Sequence, residues 1–186
     1  FEVCAHKWAN LSEDGYGISL LNDCKYGHDI KDGVMRLTLI KSAKDPNESA
    51  DRELHQFTYS LYPHCGGFRD AGTVAMAYAL NCPLYAKYEG EHTGKLPMVF
   101  SIAGTNKENV IIEAVKKAED SDDIIIRLYE CYNRRTTVRL TFGSKILDAW
   151  ECDLMENNQL RLEHNGNSLE FVIKPYEIKT IKLRVK

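Results

Sequence analysis

Short runs of alternating apolar and polar residues, separated by turn-forming residues, dominate this chain. Residues 178–185 place lysine and arginine between apolar positions, and residues 135–141 alternate in the same way. Val, Ile, Thr and Tyr are concentrated in such runs, as is typical of half-buried β-strands. We predict strands over residues 1–6, 16–22, 34–40, 53–62, 98–103, 109–117, 123–132, 136–142, 146–152, 159–163, 169–173 and 177–185.

One segment has the pattern of a helix instead. Residues 71–80 are rich in alanine, and Val74, Ala77 and Tyr78 share one face at helical spacing. Asp70 is the predicted N-cap, and a Cys-Pro pair is predicted to end the helix because proline cannot continue it. The predicted fold is therefore mainly β, with β-sandwich layers (two packed or tandem β units) and one short inserted helix near residues 70–81.

Turns and loops divide the strands into two groups. The Asn165-Gly166 pair is the strongest hairpin signal, because this dipeptide favours the tight turns that join antiparallel strands. The polar residues 41–51 form a predicted exposed loop, and residues 85–97, which contain glycine and proline, form a predicted linker. We therefore predict two domains, residues 1–92 with the helix and residues 93–186 as a closing β-sandwich.

Composition excludes several classes of protein. The 186 residues carry 24 basic and 27 acidic side chains, and 44% of them are hydrophobic, as in ordinary soluble domains. These values exclude a disordered tail, a collagen and a coiled coil. They also argue against nucleic acid as a partner, because basic residues are not in excess. No apolar run approaches the roughly 20 residues of a membrane span, so no membrane partner is predicted.

The six cysteines are widely spaced, form no Cys-x-x-Cys pair and lie in part within apolar, strand-like runs. This usage is typical of free thiols in a reducing compartment, so a cytoplasmic location is predicted. The chain begins at Phe1 without an initiator methionine, and we expect it to be an excised portion of a longer protein.

Signature motifs of the common enzyme classes do not occur in the sequence. It contains no Gly-x-Ser-x-Gly elbow, no phosphate-binding Gly-x-x-x-x-Gly-Lys-Ser/Thr loop and no Gly-x-Gly-x-x-Gly fingerprint. Cys4-x-His6 and His28-Asp29 lack the second pair of ligands that a tetrahedral zinc site needs. We interpret these histidines as structural and predict no metal ligand in the chain. Acidic residues are plentiful, but their number does not identify the carboxylate pair of a glycosidase.

One segment, residues 20–29, concentrates polar chemistry at the end of an apolar strand. It reads LLNDCKYGHD, so two leucines, predicted to anchor the strand, precede amide, carboxylate, ammonium and phenol groups. Two interpretations stand: β scaffolds present binding loops in this way, and Asn and Asp also form turns with their own backbone. The candidate binding residues of the first interpretation are Asn22, Asp23, Lys25 and Tyr26. Gly27 is predicted to turn the chain at positive φ.

The same segment carries a resemblance to a known family. Residues 1–13 and 15–27, which include LLNDCKYG, closely resemble the C-terminal β region of glycoside hydrolase family 38 α-mannosidases. LLNDCKYG is the specific motif, and further segments support it. These supporting segments are residues 55–64, 80–84, 115–131, 149–151 and 174–183. The resemblance therefore covers nearly the whole chain, and it is weakest over residues 85–108 and 133–146.

The resemblance implies a role within a longer enzyme. Members of the family bind zinc and cleave terminal α-mannosides with retention, through an aspartate nucleophile and an acid/base carboxylate in an N-terminal domain that this chain does not resemble. The chain would then be inactive by itself, with no catalytic residue and no zinc ligand. It would buttress the catalytic domain and line one side of the sugar site with Asn22, Asp23, Lys25 and Tyr26. The implied partners are a mannose-containing oligosaccharide and the protein's own catalytic domain.

Two further hypotheses stand beside this one. The chain is alternatively a free-standing carbohydrate-binding or interaction β-sandwich, or a complete small glycosidase with a carboxylate pair of its own. The absence of an initiator methionine leads us to expect the excised portion of an enzyme. If a catalytic domain packs on this chain, we expect an exposed apolar docking surface of roughly a few hundred Å². Self-association into a homo-oligomer through that surface is a further expectation.

Overall fold

The chain folds into two compact units, each with its own sheets. The computed structural model describes residues 2–95 and 97–186. Phe1, at the start of the first predicted strand, and Leu96, in the predicted linker, lie outside the described residues. The predicted independence of the two domains stays a prediction.

The first unit, Phe1–Gly90, combines two small sheets with one helix. Its elements within the described residues are β1 (Glu2–Cys4), β2 (Trp8–Glu13), β3 (Tyr16–Asn22), β4 (Gly27–Lys31), β5 (Val34–Leu37), β6 (Tyr59–Cys65) and α1 (Thr73–Asn81). Both sheets are antiparallel and have three strands, in the orders β1-β4-β5 and β2-β3-β6. The loop after β3 therefore leads from the central strand of one sheet to the central strand of the other.

Strand β3 and helix α1 build the core of the first unit. Leu20 and Leu21 are 6% and 3% exposed, which confirms that the two leucines anchor the strand. The helix contacts β2 and β3 and buries Thr73 and Val74 at its start. The core is partly polar, since Ser19 Oγ lies within hydrogen-bond distance, 2.7 Å, of Thr73 Oγ1. The helix thus packs on the β2-β3-β6 sheet.

The helix begins later than predicted and without the predicted cap. Asp70 is not its N-cap, because α1 begins at Thr73 and the residue before it is Gly72, with a φ of 62°. Asp70 Oδ2 instead accepts a hydrogen bond from Gly67 N at 3.1 Å. The carboxylate satisfies the turn before the helix, so it is not available to the helix itself. In the described part of the chain, no helix is long and apolar enough to cross a membrane.

The second unit, Glu91–Lys186, is a β-sandwich. Its strands within the described residues are β7 (Ala103–Thr105), β8 (Val110–Lys117), β9 (Ile124–Glu130), β10 (Thr136–Phe142), β11 (Ile146–Cys152), β12 (Asn158–Arg161), β13 (His164–Asn165), β14 (Ser168–Ile173) and β15 (Ile178–Val185). One sheet has the order β13-β14-β10-β7, and the other has the order β12-β11-β15-β9-β8. Neighbouring strands pair antiparallel throughout both sheets.

The core of the second unit lies between its two sheets. Val138 and Leu140 from β10 meet Ile126, Leu128 and Ile181 from the other sheet in one apolar cluster, and all five side chains are fully buried. Along β10, exposed and buried residues alternate, because successive side chains of a strand point to opposite faces. The predicted fold class, mainly β with sandwich layers and one short helix, is confirmed.

Most predicted strands are present in the structure, but two are absent over most of their length and three observed strands were not predicted. Strands β3, β10 and β11 have the predicted bounds, and most others differ by a few residues at an end. Residues 53–58 and 98–102 form no strand, so these two predictions are wrong over most of their length. Both segments contain strongly exposed apolar residues, and an apolar composition alone does not supply a neighbouring strand. Conversely, β2, β4 and β13 have no predicted counterpart.

The predicted hairpin at Asn165-Gly166 is confirmed. Strands β13 and β14 pair antiparallel, with Asn165 opposite Ser168. Gly166 has a φ of 62°, a left-handed conformation that glycine adopts without steric cost. The turn chemistry of this dipeptide therefore specifies the register of the two strands.

Candidate functional site

The four candidate residues lie in one loop, residues 22–27, which connects β3 to β4. We refer to it as the 22–27 loop. Its backbone is bonded to the segment that precedes β2: Asn22 N donates to Lys7 O at 3.0 Å, and Ala5 N donates to Tyr26 O at 3.0 Å. Because β3 and β4 are both central strands, the two ends of the loop are fixed by strands on either side.

Asn22 faces into the protein and shapes the loop from inside. Its side chain is fully buried, and its Oδ1 accepts a hydrogen bond from Lys25 N at 2.9 Å. Its carbonyl oxygen accepts from Asn81 Nδ2 at 2.9 Å, which ties the loop to the end of α1. Among the described residues, Asn22 Nδ2 has no hydrogen-bond partner. Asn22 therefore sets the path of the loop and does not lie on its exposed edge.

Asp23 ties the loop to the start of β6. Its two carboxylate oxygens accept from Thr58 N at 2.9 and 3.0 Å, and Asp23 N donates to Thr58 O at 3.1 Å. The amide of Thr58, and after it the side chain of Cys24, lower the pKa of the Asp23 carboxyl, while burial opposes them. The half-buried carboxylate is thus ionised at neutral pH and keeps acceptor positions for a ligand.

The half-buried Lys25 and the exposed Tyr26 add an ammonium group and a phenol to the loop. Lys25 Nζ lies 4.9 Å from the centre of the Phe57 ring, a cation–π contact that holds the ammonium group in place. Tyr26 is 44% exposed, and its ring packs edge-on against His6 at a centroid distance of 4.5 Å. An ammonium group, a phenol and a neighbouring carboxylate can together donate to and accept from the hydroxyl groups of a sugar.

Gly27 does not have the predicted conformation. It lies in β4 opposite Cys4, and its φ is not positive, so the predicted left-handed turn at this position is wrong. Its carbonyl oxygen accepts from Thr38 N at 2.9 Å. A Cβ atom at Gly27 would lie 3.3 Å from Thr38 Cβ, which is tighter than an ordinary contact. A side chain at Gly27 would therefore press on Thr38, which follows β5. The turn itself is made at Asn22 and Asp23, where Asn22 Oδ1 accepts from Lys25 N.

The histidine next to the loop is buried within a strand, and the described residues do not form a metal site. His28 is fully buried in β4, with Nδ1 3.2 Å from Tyr26 O, and its Nε2 has no hydrogen-bond partner among the described residues. Across residues 2–95 and 97–186, no group of three His, Cys, Asp or Glu side chains is placed to hold a metal ion.

Three residues that support the loop have no signal in the sequence. Phe57 and Thr58 belong to a segment predicted to be a strand, yet they contact Lys25 and Asp23 from outside any sheet. Asn81 ends α1 and also donates to Ala77 O at 2.9 Å. These contacts join residues 35 and 59 positions apart, so no local pattern could have found them.

Two domain models of one protein family match this chain. Residues 1–49 match the "Glycosyl hydrolases family 38 C-terminal domain". Residues 109–181 match the "Glycosyl hydrolases family 38 C-terminal beta sandwich domain". The first match ends beyond the 22–27 loop, and the second covers most of the β-sandwich of the second unit.

Similar sequences and structures agree with these matches. The chain is 38% identical over 190 residues to Alpha-mannosidase G of Dictyostelium discoideum and 36% identical over 188 residues to Alpha-mannosidase 2C1 of Homo sapiens. Each alignment covers 98% of this chain but 17% and 18% of those relatives, so the chain spans less than a fifth of their length. The crystal structure of an α-mannosidase from Enterococcus faecalis V583 has the same fold, with a TM-score of 0.80 at 17% identity over 99% of this chain and 21% of that one. Since both units carry the family's C-terminal sequence patterns, this chain belongs to glycosyl hydrolase family 38, as part of its C-terminal region.

Proposed function

We propose that this chain is the C-terminal, non-catalytic β portion of an α-mannosidase that acts on terminal α-mannosides, and that its 22–27 loop lines one side of the sugar site. The names of its relatives support the activity. The observation that carries the site is the fixed backbone of the loop, which leaves Tyr26 exposed and Lys25 half-buried, while Asn22 and Asp23 hold the loop by hydrogen bonds. A loop held in this way can orient a sugar without first being ordered.

Each exposed group of the loop has a distinct role in this proposal. The phenol of Tyr26 donates to or accepts from a sugar hydroxyl, while its ring covers an apolar face of the sugar. The ammonium of Lys25 donates to a hydroxyl oxygen, and the carboxylate of Asp23 accepts from one. Asn22 is a positioning residue, because its amide is committed to the backbone of the loop.

An apolar concavity supports the proposal that the rest of the protein packs on the first unit. It has a volume of about 630 Å³ and lies among β2, β3, β6 and the turn between β4 and β5. Its apolar lining residues are Leu11, Tyr16, Ile18, Leu20, Val34, Met35 and Leu61. Leu61 is 66% exposed and Tyr16 is 49% exposed. Covering such side chains contributes about 25 cal/mol per Å² of apolar surface, which favours docking of another domain.

The remaining features of the proposal concern the whole protein. It is a retaining, zinc-dependent enzyme whose zinc ligands and catalytic carboxylates lie outside this chain. It is located in the cytoplasm, and this location is supported by six free cysteines, of which Cys4, Cys24, Cys65 and Cys82 are exposed. Exposed free thiols persist in a reducing compartment and are rare in secreted proteins.

The full-length protein provides the test of this proposal. In Tyr26→Phe and Lys25→Gln variants, kcat/KM for an aryl α-mannoside is expected to fall about tenfold, which corresponds to about 1.4 kcal/mol of lost transition-state binding. The melting temperature is expected to stay within about 2 °C of the parent, because both groups are peripheral to the core.

Tyr88→Phe is the matched control, since it removes the same hydroxyl group from a side chain that is 95% exposed and lies outside any helix or strand. It is expected to leave kcat/KM unchanged. Unchanged kinetics in folded Tyr26→Phe and Lys25→Gln variants would contradict the role of the loop. Failure of the full-length protein to hydrolyse any α-mannoside would contradict the activity itself.

A further inference from the structure

One end of the second unit carries a concavity that the proposed function does not use. It has a volume of about 720 Å³ and lies between two loops, residues 106–109 between β7 and β8 and residues 131–135 between β9 and β10. Its lining residues are Asn106, Lys107, Glu108, Asn109, Arg134, Arg135, Thr136 and Thr137. We refer to it as the β7–β10 concavity. All of its lining belongs to the second unit.

A buried carboxylate fixes the loop of residues 131–135. Glu130, 1% exposed, accepts from Tyr132 N at 2.8 Å, and its Oε1 also accepts from Asn109 Nδ2 at 2.8 Å. Asn109 Nδ2 additionally donates to Thr136 Oγ1 at 2.8 Å, which joins the two loops. Asn133 has a φ of 60°, so the chain turns sharply just before the two arginines. The backbone that carries Arg134 and Arg135 is therefore held in one conformation.

The loop of residues 106–109 is fixed in a similar way. Asn106 Oδ1 accepts from Arg139 N at 2.8 Å, and Asn106 N donates to Arg139 O at 3.2 Å, so the loop is bonded to β10. Val110 N donates to Lys107 O at 3.2 Å and closes a tight turn. Lys107 thus lies in a fixed turn and lines the same concavity as the two arginines.

The charges around this concavity are unbalanced. The lining includes three cationic side chains, Lys107, Arg134 and Arg135, and one anionic side chain, Glu108. The ionised carboxylate of Glu130 lies beneath this lining, bonded to Asn109, and the local balance remains positive. In the described part of the chain, none of the three cations forms an ion pair. The other arginines of the unit have partners: Arg127 with Leu154 O, Arg139 with Glu170, Arg161 with Asp148, and Arg184 with Asp123. The arginines without partners in this unit are therefore the two that line the concavity.

We propose that the β7–β10 concavity binds a phosphate group, either as inorganic phosphate or on a small phosphate ester. Two guanidinium groups offer planar, two-pronged donor sets that match the oxygens of phosphate, and Lys107 adds a third cation. The lining carries three positive charges and one negative charge. This net charge of about +2 suits a phosphate dianion better than it suits the single negative charge of a carboxylate ligand. Because both loops are already fixed, little ordering accompanies binding.

Isothermal titration of the 186-residue chain tests the proposal. Inorganic phosphate and a hexose 6-phosphate are titrated separately at pH 7.5, with ionic strength held constant by sodium chloride. Saturable binding is expected for at least one probe. Equal dissociation constants would mean that the phosphate group alone is recognised, and tighter binding of the ester would mean that the sugar phosphate is the ligand. Both results support the site.

Variants show whether the binding belongs to the concavity. Arg134→Gln and Arg135→Gln are each expected to weaken binding at least tenfold, and Lys107→Gln is expected to weaken it several-fold. Arg161→Gln removes the same charge from the same unit outside the concavity, so it is expected to bind as the parent does. No saturable binding of either probe below about 10 mM, or equal binding by the parent, Arg134→Gln and Arg135→Gln, would overturn the proposal.

Discussion

Replacing Glu130 by glutamine is expected to destabilise the second unit far more than a surface substitution does. The buried Oε1 accepts from Asn109 Nδ2 and Tyr132 N at 2.8 Å each, and Oε2 accepts from Tyr176 N at 3.0 Å. Burial disfavours the charged form, but the amides of Tyr176, Tyr132 and Arg134 and the side chain of Asn109 together lower the pKa of Glu130. An ionised carboxylate is therefore buried at the edge of the sandwich. Its hydrogen bonds order the three segments that contain Asn109, Tyr132 and Tyr176.

The size of the effect follows from these contacts. Glutamine has nearly the same shape but one acceptor oxygen, so at least one buried donor faces an NH₂ group, which costs about 1–3 kcal/mol. The remaining hydrogen bonds lose the charge that makes them about twice as strong as neutral ones. We expect a total loss of about 3–4 kcal/mol in the free energy of unfolding. For a domain of this size, that loss lowers the melting temperature by at least about 12 °C.

Urea unfolding followed by tryptophan fluorescence isolates this effect. Trp8 lies in the first unit and Trp150 in the second, so in a Trp8→Phe background the fluorescence reports on the second unit alone. Glu170→Gln is the matched control, because Glu170 pairs with Arg139 while both side chains are more than half exposed. The control is expected to change stability by less than about 0.5 kcal/mol. A Glu130→Gln variant that unfolds with the parent's free energy would refute the reasoning.

The same variant has an expected signature in acid. Because the pKa of Glu130 is lower in the folded state, its ionisation contributes stability above the unfolded-state pKa of about 4.3. This contribution is lost as the pH falls through the lower folded-state pKa. Glu130→Gln is therefore expected to lose less stability than the parent between about pH 5 and pH 3. A parallel loss in both proteins would contradict the assignment of an ionised carboxylate.

Two other expectations concern the chain as a whole. Limited proteolysis is expected to cut within residues 85–97 and to leave two resistant fragments. The reason is that residues 85–95 are exposed and lie outside any helix or strand. Uniform resistance in this segment would mean that the two halves share one core. The isolated chain is expected to show no hydrolysis of aryl α-mannosides with or without added zinc, since the proposed function assigns the catalytic carboxylates and the zinc ligands to another part of the protein. Turnover that persists after removal of host enzymes would show that it carries its own catalytic carboxylates.

The strands were predictable where side-chain pattern and turn chemistry act together. Residues 136–142 alternate strictly, and in the structure their buried members face the sandwich core. The Asn165-Gly166 turn likewise specifies its own hairpin. Residues 98–102 are apolar but lack a partner strand, and β4 is too polar to suggest a central strand, although both its neighbours hold it in a sheet. Pairing is a long-range property, so a local pattern predicts it only when burial on one face is strong.

The candidate loop was predictable in its position but not in the direction of its side chains. Residues 19–22 of β3 are all buried, so the end of this strand is covered on both faces and the rule of alternating exposure does not apply there. Asn22 therefore turns inward and bonds to the backbone of Lys25, as in the second of the two interpretations that the polar sequence left open. A side chain committed to the loop backbone cannot exchange its partner for a sugar hydroxyl without changing the loop. Under the proposed function, loss of Asn22 is therefore expected to act through the shape of the loop, and loss of Tyr26 through lost contact with the sugar.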